Sequence, residues 1–177
     1  MTTLMIYGAS GYTGRMAAAH AKEAGLKLVL AGRDEAPLQA LATRLGVEYR
    51  VFALDSAADV DHGLQNIAVL LNCAGPFAHT AGALMEACLR GGVHYLDISA
   101  ELDSYQLAER HDLGAIEAGV MLMPGSGGSD SSQTTISPST TQPSGSTATS
   151  PLCPTGRSLR HSCPKQPRSA AGGVHSR

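Results

Sequence analysis

Gly8, Gly11 and Gly14 recur at every third position of Tyr7-Gly8-Ala9-Ser10-Gly11-Tyr12-Thr13-Gly14-Arg15, directly after the apolar run Leu4-Met5-Ile6. Three side chains missing within seven residues describe a backbone that something approaches closely. An apolar strand that runs through a glycine turn into a helix aims free amide N–H groups and the positive end of a helix dipole at a phosphate. In that arrangement Gly8 takes the turn, Gly11 lets a pyrophosphate meet the main chain, and Gly14 lets the helix pack closely on the sheet. The chemistry expected of this stretch is dinucleotide binding.

The end of the next apolar run, Leu28 to Ala31, bears on which dinucleotide. NAD sites place an Asp or Glu there to hold the ribose 2′-hydroxyl. This chain has Ala31-Gly32-Arg33, and Arg33 can pair with a 2′-phosphate and lay its guanidinium plane on adenine. Asp34 follows, but as the expected N-cap of a helix its carboxylate should turn into the helix terminus. NADP is therefore favoured over NAD. Asp55, after Val51-Phe52-Ala53-Leu54, could accept a hydrogen bond from the adenine amino group or serve as a helix cap. Asn72-Cys73-Ala74-Gly75-Pro76 offers a turn of small residues in which Ala74, Gly75 and Pro76 can pass beside ribose and nicotinamide.

Hydride chemistry usually needs an acid or base within reach of the reacting carbon. His94, Tyr95, Asp97 and Glu101 cluster around one strand, and Asp97 and Glu101 are the better pair because they follow it. Capping carboxylates explain the same residues, so no catalytic residue is assigned. His20, His62, His79 and His111 have no metal-ligand spacing, and no metal is expected.

These residues need a scaffold. Leu4 to Tyr7, Leu28 to Ala31, Tyr49 to Leu54, Ala68 to Asn72, His94 to Ile98 and Val120 to Met123 read as buried strands. Between the second and third, Leu38, Leu41, Ala42 and Leu45 form a helical stripe opened by Asp34 and closed by Gly46. Further helices are predicted for Thr13 to Ala24, Ala57 to Gln65, Thr80 to Arg90 and Glu101 to Glu117. Alternating strands and helices imply parallel strands with right-handed crossovers. The fold class is a Rossmann-like α/β domain, a doubly wound parallel sheet of about six strands in the order 3-2-1-4-5-6.

"GASGYTGR", "LVLAGR", "LLNCAGPF" followed by "EACLRGGVHYLDISAE", and "GVMLMPG" together resemble the NADP-binding domain of saccharopine-dehydrogenase-like oxidoreductases, over about Thr3 to Gly128. The resemblance implies Gly8, Ser10, Gly11, Tyr12, Thr13 and Gly14 at the pyrophosphate. It implies Arg33 at the 2′-phosphate, and Ala74, Gly75 and Pro76 near the nicotinamide. It also implies hydride transfer to or from a small or lipid-like substrate, with a second domain supplying the substrate pocket and the dimer sheet.

From Ser129 onward about half the residues are Ser, Thr or Pro. That composition cannot offset an ordering cost of about 1 to 2 kcal/mol per residue. The expected organisation is a domain over 1–128 and a disordered tail over 129–177. The tail reads as a shifted reading frame or an evolved linker. In either case the chain is expected to bind cofactor without turnover, the rivals being a sensor module and a truncated product without function.

Charge falls unevenly across that boundary. Residues 1–128 hold 14 acidic and 8 basic residues and the tail 1 and 5, so −6 and +4 give the net −2. An acidic domain argues against nucleic acid as a partner. Cys73, Cys88, Cys153 and Cys163 lack redox or zinc spacing, and no signal peptide or membrane span is expected from the N-terminal residues. A cytoplasmic location is expected; a homo-oligomer has no support without a second domain.

Overall fold

The computed structural model describes residues 2–126. The tail expected from Ser129 onward lies outside the described residues. Six strands, β1 (Thr3–Tyr7), β2 (Lys27–Gly32), β3 (Glu48–Val51), β4 (Val69–Asn72), β5 (His94–Asp97) and β6 (Leu122–Met123), alternate with helices. The helices are α1 (Tyr12–Glu23), α2 (Glu35–Leu45), α3 (Ala57–Gly63), α4 (Phe77–Gly91), α5 (Leu102–Arg110) and α6 (Asp112–Ala118). All strand pairs are parallel and the order is β3-β2-β1-β4-β5-β6, as the alternation predicts.

The period-2 geometry of the strands sorts the core into two layers. Met5, Tyr7, Val29 and Ala31 point to one face, where they meet Val60 of α3 and Ala81, Leu84, Met85 and Cys88 of α4. Ile6, Leu28 and Leu30 point to the other, against Ala18 and Ala21 of α1 and Leu38, Leu41 and Ala42 of α2. Leu38, Leu84 and Met85 are fully buried, each contributing about 1.5 to 3 kcal/mol of transfer free energy. The predicted stripe of α2 faces inward, and Gly46 closes the helix in the left-handed region at φ 62°.

Three elements differ most from the sequence reading, and β6 is two residues shorter than expected. The helix predicted over Glu101 to Glu117 is two helices, broken at His111, whose N–H is shared between the carbonyls of Leu107 and Ala108. The break lets both pieces pack against α4. The third strand stops at Val51; Phe52, whose N–H makes the last bond to β2 at the Gly32 carbonyl (3.1 Å), buries its ring in the core. The fourth helix begins at Phe77, one turn earlier than expected, since Pro76 needs no amide partner at the N-cap. That extra turn moves His79 and Thr80 onto the ligand side of the sheet.

Candidate functional site

The carboxyl ends of β1, β2 and β4 and the segment following β3 open into one cleft of about 510 Å³. Its floor is the β1–α1 turn. The N–H groups of Gly8 and Ala9 both donate to the Ala31 carbonyl, at 2.9 and 3.2 Å, which ties the turn to β2. Gly8 has φ +78°, and a Cβ there would stand 2.8 Å from Ala74. A Cβ on Gly14 would fall on the Gly8 carbonyl oxygen and 2.8 Å from the Ala9 Cα, so the close approach of α1 to the turn requires glycine. At Gly11 a Cβ would meet only the Gly8 oxygen at 3.3 Å and otherwise project into open space. Fold excludes side chains at Gly8 and Gly14; at Gly11 the space is free for a ligand.

The first turn of α1 completes a donor cradle. Gly11 caps the helix without a side-chain acceptor, and no acidic residue lies in the first turn. The amides of Ser10, Tyr12 and Thr13 find no acceptor among the described residues. Arg15 donates from Nε to the Ser10 carbonyl at 2.7 Å, which holds the loop from its outer side. Unpaired donors at the positive end of a 12-residue helix have the chemistry that a phosphate group requires.

Of the residues singled out in sequence, Gly8, Ser10, Gly11, Arg33, Asp55, Ala74, Gly75 and Pro76 line the cleft. Tyr12 and Thr13 do not line it; their side chains are exposed beside the cradle. Asp34 departs from its expected role. It holds the N-cap position of α2, but its side chain makes no capping hydrogen bond, and its carboxylate lies 3.7 Å from Arg33 Nε at the cleft rim. The adjacent guanidinium offers that carboxylate a full positive charge, a stronger attraction than the partial charge of a helix end.

The candidate acids near β5 are structural. Tyr95 and Asp97 are wholly buried, Tyr95 donates to Asp97 Oδ2 at 2.8 Å, and neither lines the cleft. Glu101 Oε2 accepts from the Ala78 N–H at 3.1 Å and so caps the start of α4. His94 begins its strand at the opposite edge and accepts from the Met121 N–H. Sequence reasoning missed Tyr7, Cys73, His79 and Thr80 as cleft residues. Their signal was the strand ends at Tyr7 and Asn72 and the proline that starts α4.

Burial controls the titration of the groups near the cleft. It pushes the Cys73 thiol up to about 11, helped by the Asp97 charge, and the Cys88 thiol up to about 12. Both are neutral at pH 7 and poor nucleophiles. Burial also raises the Tyr7 hydroxyl, with Arg33 opposing the shift. A second hollow, of about 640 Å³, lies by Arg50, Asp59 and His62. Its guanidinium already donates to the carbonyls of Gly63 and Gln65, each at 2.7 Å, and is paired with the Glu48 carboxylate at 2.9 Å, so its charge is met within the protein. Among the described residues no helix is long and apolar enough to cross a membrane.

Solved structures share this architecture. Saccharopine dehydrogenase (L-Glu forming) from Saccharomyces cerevisiae superposes with a TM-score of 0.61 at 16% identity, over 71% of this chain and 27% of that one. Biliverdin reductase from Synechocystis sp. PCC 6803, solved with biliverdin and NADP+, gives 0.53 at 23% identity, over 70% and 37%. Among curated proteins, the saccharopine dehydrogenase-like oxidoreductase of Homo sapiens is 29% identical over 148 residues, covering 72% of this chain and 34% of the relative. The trans-acting enoyl reductase of Mycobacterium ulcerans is 26% identical over 106 residues, covering 56% and 25%. The chain thus spans about a third to a quarter of the length of these curated relatives. Residues 4–123 match the saccharopine dehydrogenase NADP binding domain, and with well over half the chain inside that match the protein belongs to this family, whose cofactor is NADP.

Proposed function

We propose that residues 1–128 bind NADPH through the β1–α1 cradle and serve as the cofactor-holding part of a hydride-transferring oxidoreductase. The observation that carries this reading is the cradle itself: amides without acceptors at the start of α1, beside a cleft with Arg33 on its rim. The amides of Ser10, Tyr12 and Thr13 hold the pyrophosphate, and Gly11 leaves the space for it. Arg33 takes the 2′-phosphate, Asp55 the adenine amino group, and Ala74, Gly75 and Pro76 flank the nicotinamide. Bound NADPH supplies the hydride. The residues of this chain bind it, orient its ring and keep the Cys73 thiol protonated beside it.

The substrate of the whole protein, small or lipid-like, meets the nicotinamide beyond Pro76. Positioning a substrate accounts for about 7 to 11 kcal/mol of a barrier, and the curated relatives are about three times as long as the part matched here. Residues 1–177 alone therefore bind cofactor without turnover. The free thiols Cys73 and Cys88 suit a reducing, cytoplasmic setting. Fluorescence titration with NADPH and NADH at fixed salt tests the reading, and equal affinities would overturn the role of Arg33.

A further inference from the structure

A buried hydrogen-bond chain runs beneath the nicotinamide end of the cleft. Asn72, Tyr95 and Asp97 are each 0% exposed, and none of the ion pairs among the described residues involves Asp97. Asp97 Oδ1 accepts from the N–H groups of Ser99 and Gly125, at 2.9 and 2.8 Å, and Oδ2 accepts from the Tyr95 hydroxyl at 2.8 Å. The Tyr95 oxygen in turn accepts from Asn72 Nδ2 at 3.2 Å. The second Nδ2 proton goes to Thr80 Oγ1 at 3.1 Å, and that hydroxyl donates to the Ala74 carbonyl at 2.7 Å. Asn72 Oδ1 accepts from the Ala74 N–H at 2.9 Å.

The direction of this chain is dictated by chemistry. A carboxylate can only accept, so the Tyr95 proton is committed to Asp97 and the phenol oxygen must receive a proton from Asn72. That turns the Asn72 amide so that its oxygen, and not its nitrogen, faces the Ala74 N–H. Ala74 is then clamped at both its amide and its carbonyl. It lines the cleft and is the residue a Cβ on Gly8 would strike, so its position sets the gap between the phosphate turn and the nicotinamide wall. Burial raises the Tyr95 hydroxyl far above the phenol range, so the proton is present at any working pH. No buried side-chain polar atom among the described residues is left unpaired.

Resting on the proposed cofactor site, we infer that Tyr95 is a positioning residue that fixes the Cys73–Pro76 turn for the nicotinamide half of the cofactor without touching it. The test compares two probes on the full chain. NADPH carries the nicotinamide; adenosine 2′,5′-bisphosphate lacks it and keeps the Arg33 contacts. Tyr95→Phe keeps the ring but removes both hydrogen bonds of the hydroxyl, leaving Asp97 Oδ2 and one Asn72 N–H without that partner. It should weaken NADPH about three- to tenfold, shift the emission of bound NADPH toward that of the free nucleotide, and leave the bisphosphate affinity unchanged.

Equal losses for both probes, or none for either, would overturn the inference. Wild-type protein that binds the bisphosphate but not NADPH would overturn it as well, while one that binds neither would refute the cofactor site itself. Should Tyr95→Phe fail to fold, Thr80 decides. Thr80→Val removes the hydroxyl that clamps Ala74 and should reproduce the selective loss, while Thr80→Ser restores the hydroxyl and the affinity. Identical behaviour of those two variants would overturn the inference.

Discussion

Replacing Arg33 by Ala is the most direct probe of cofactor choice. Hydrogen bonds to charged groups contribute about 1.5 to 3 kcal/mol, but the Arg33 side chain is 80% exposed and already leans on Asp34. Exposed charges interact in high dielectric and are screened, so the low end applies. About 1.5 kcal/mol converts to roughly a tenfold preference for NADPH over NADH that depends on this side chain. Asp34 acts in the opposite direction. A carboxylate about 4 Å from a phosphate charge costs about 1 kcal/mol in bulk water, so Asp34→Asn should tighten NADPH about two- to fivefold and leave NADH unchanged. Titrations at low and high salt check that both effects are electrostatic, because both shrink as the Debye length falls. The reasoning fails if Arg33→Ala leaves the NADPH/NADH ratio where it was, or if Asp34→Asn weakens NADPH.

The glycines should separate folding from binding: Gly14→Ala forces a Cβ into the Gly8 carbonyl and should lower Tm by several degrees, whereas Gly11→Ala should melt almost normally and bind NADPH at least tenfold more weakly. Thermal melts paired with titrations check both. Alkaline pH should destabilise the fold. The Cys73 thiol, raised from 9.0 to about 11, keeps its proton in the folded state while the unfolded chain loses it. Stability is therefore complete below about pH 9 and falls as pH rises toward 11, readable in urea melts. With NADPH bound, a panel of carbonyl, imine and enoyl acceptors should show no oxidation by this chain alone; steady turnover would refute the proposed dependence on further chain. Limited proteolysis should leave a core ending near Gly128 that still binds NADPH, and loss of binding on trimming would refute the proposed boundary.

The strand order and the cradle were legible because each rests on local pattern. Apolar runs spaced by helical stripes, with glycines at Gly8, Gly11 and Gly14, leave few ways to build a parallel sheet. What stayed hidden depends on contacts between distant residues. Nothing near Asp34 in sequence says whether its carboxylate will cap α2 or turn to Arg33, because the two choices differ by a rotation of one exposed side chain. Tyr95 and Asp97 drew attention as titratable groups beside a strand end, and their types alone suit acid–base work. Only the partners Asn72, Ser99 and Gly125, brought in from β4 and from the loops after β5 and β6, turn them into a buried clamp. A carboxylate with three donors and no exposure is out of a substrate's reach. What it can do is hold a phenol, and through it an amide, in the single orientation that sets the wall of the cleft.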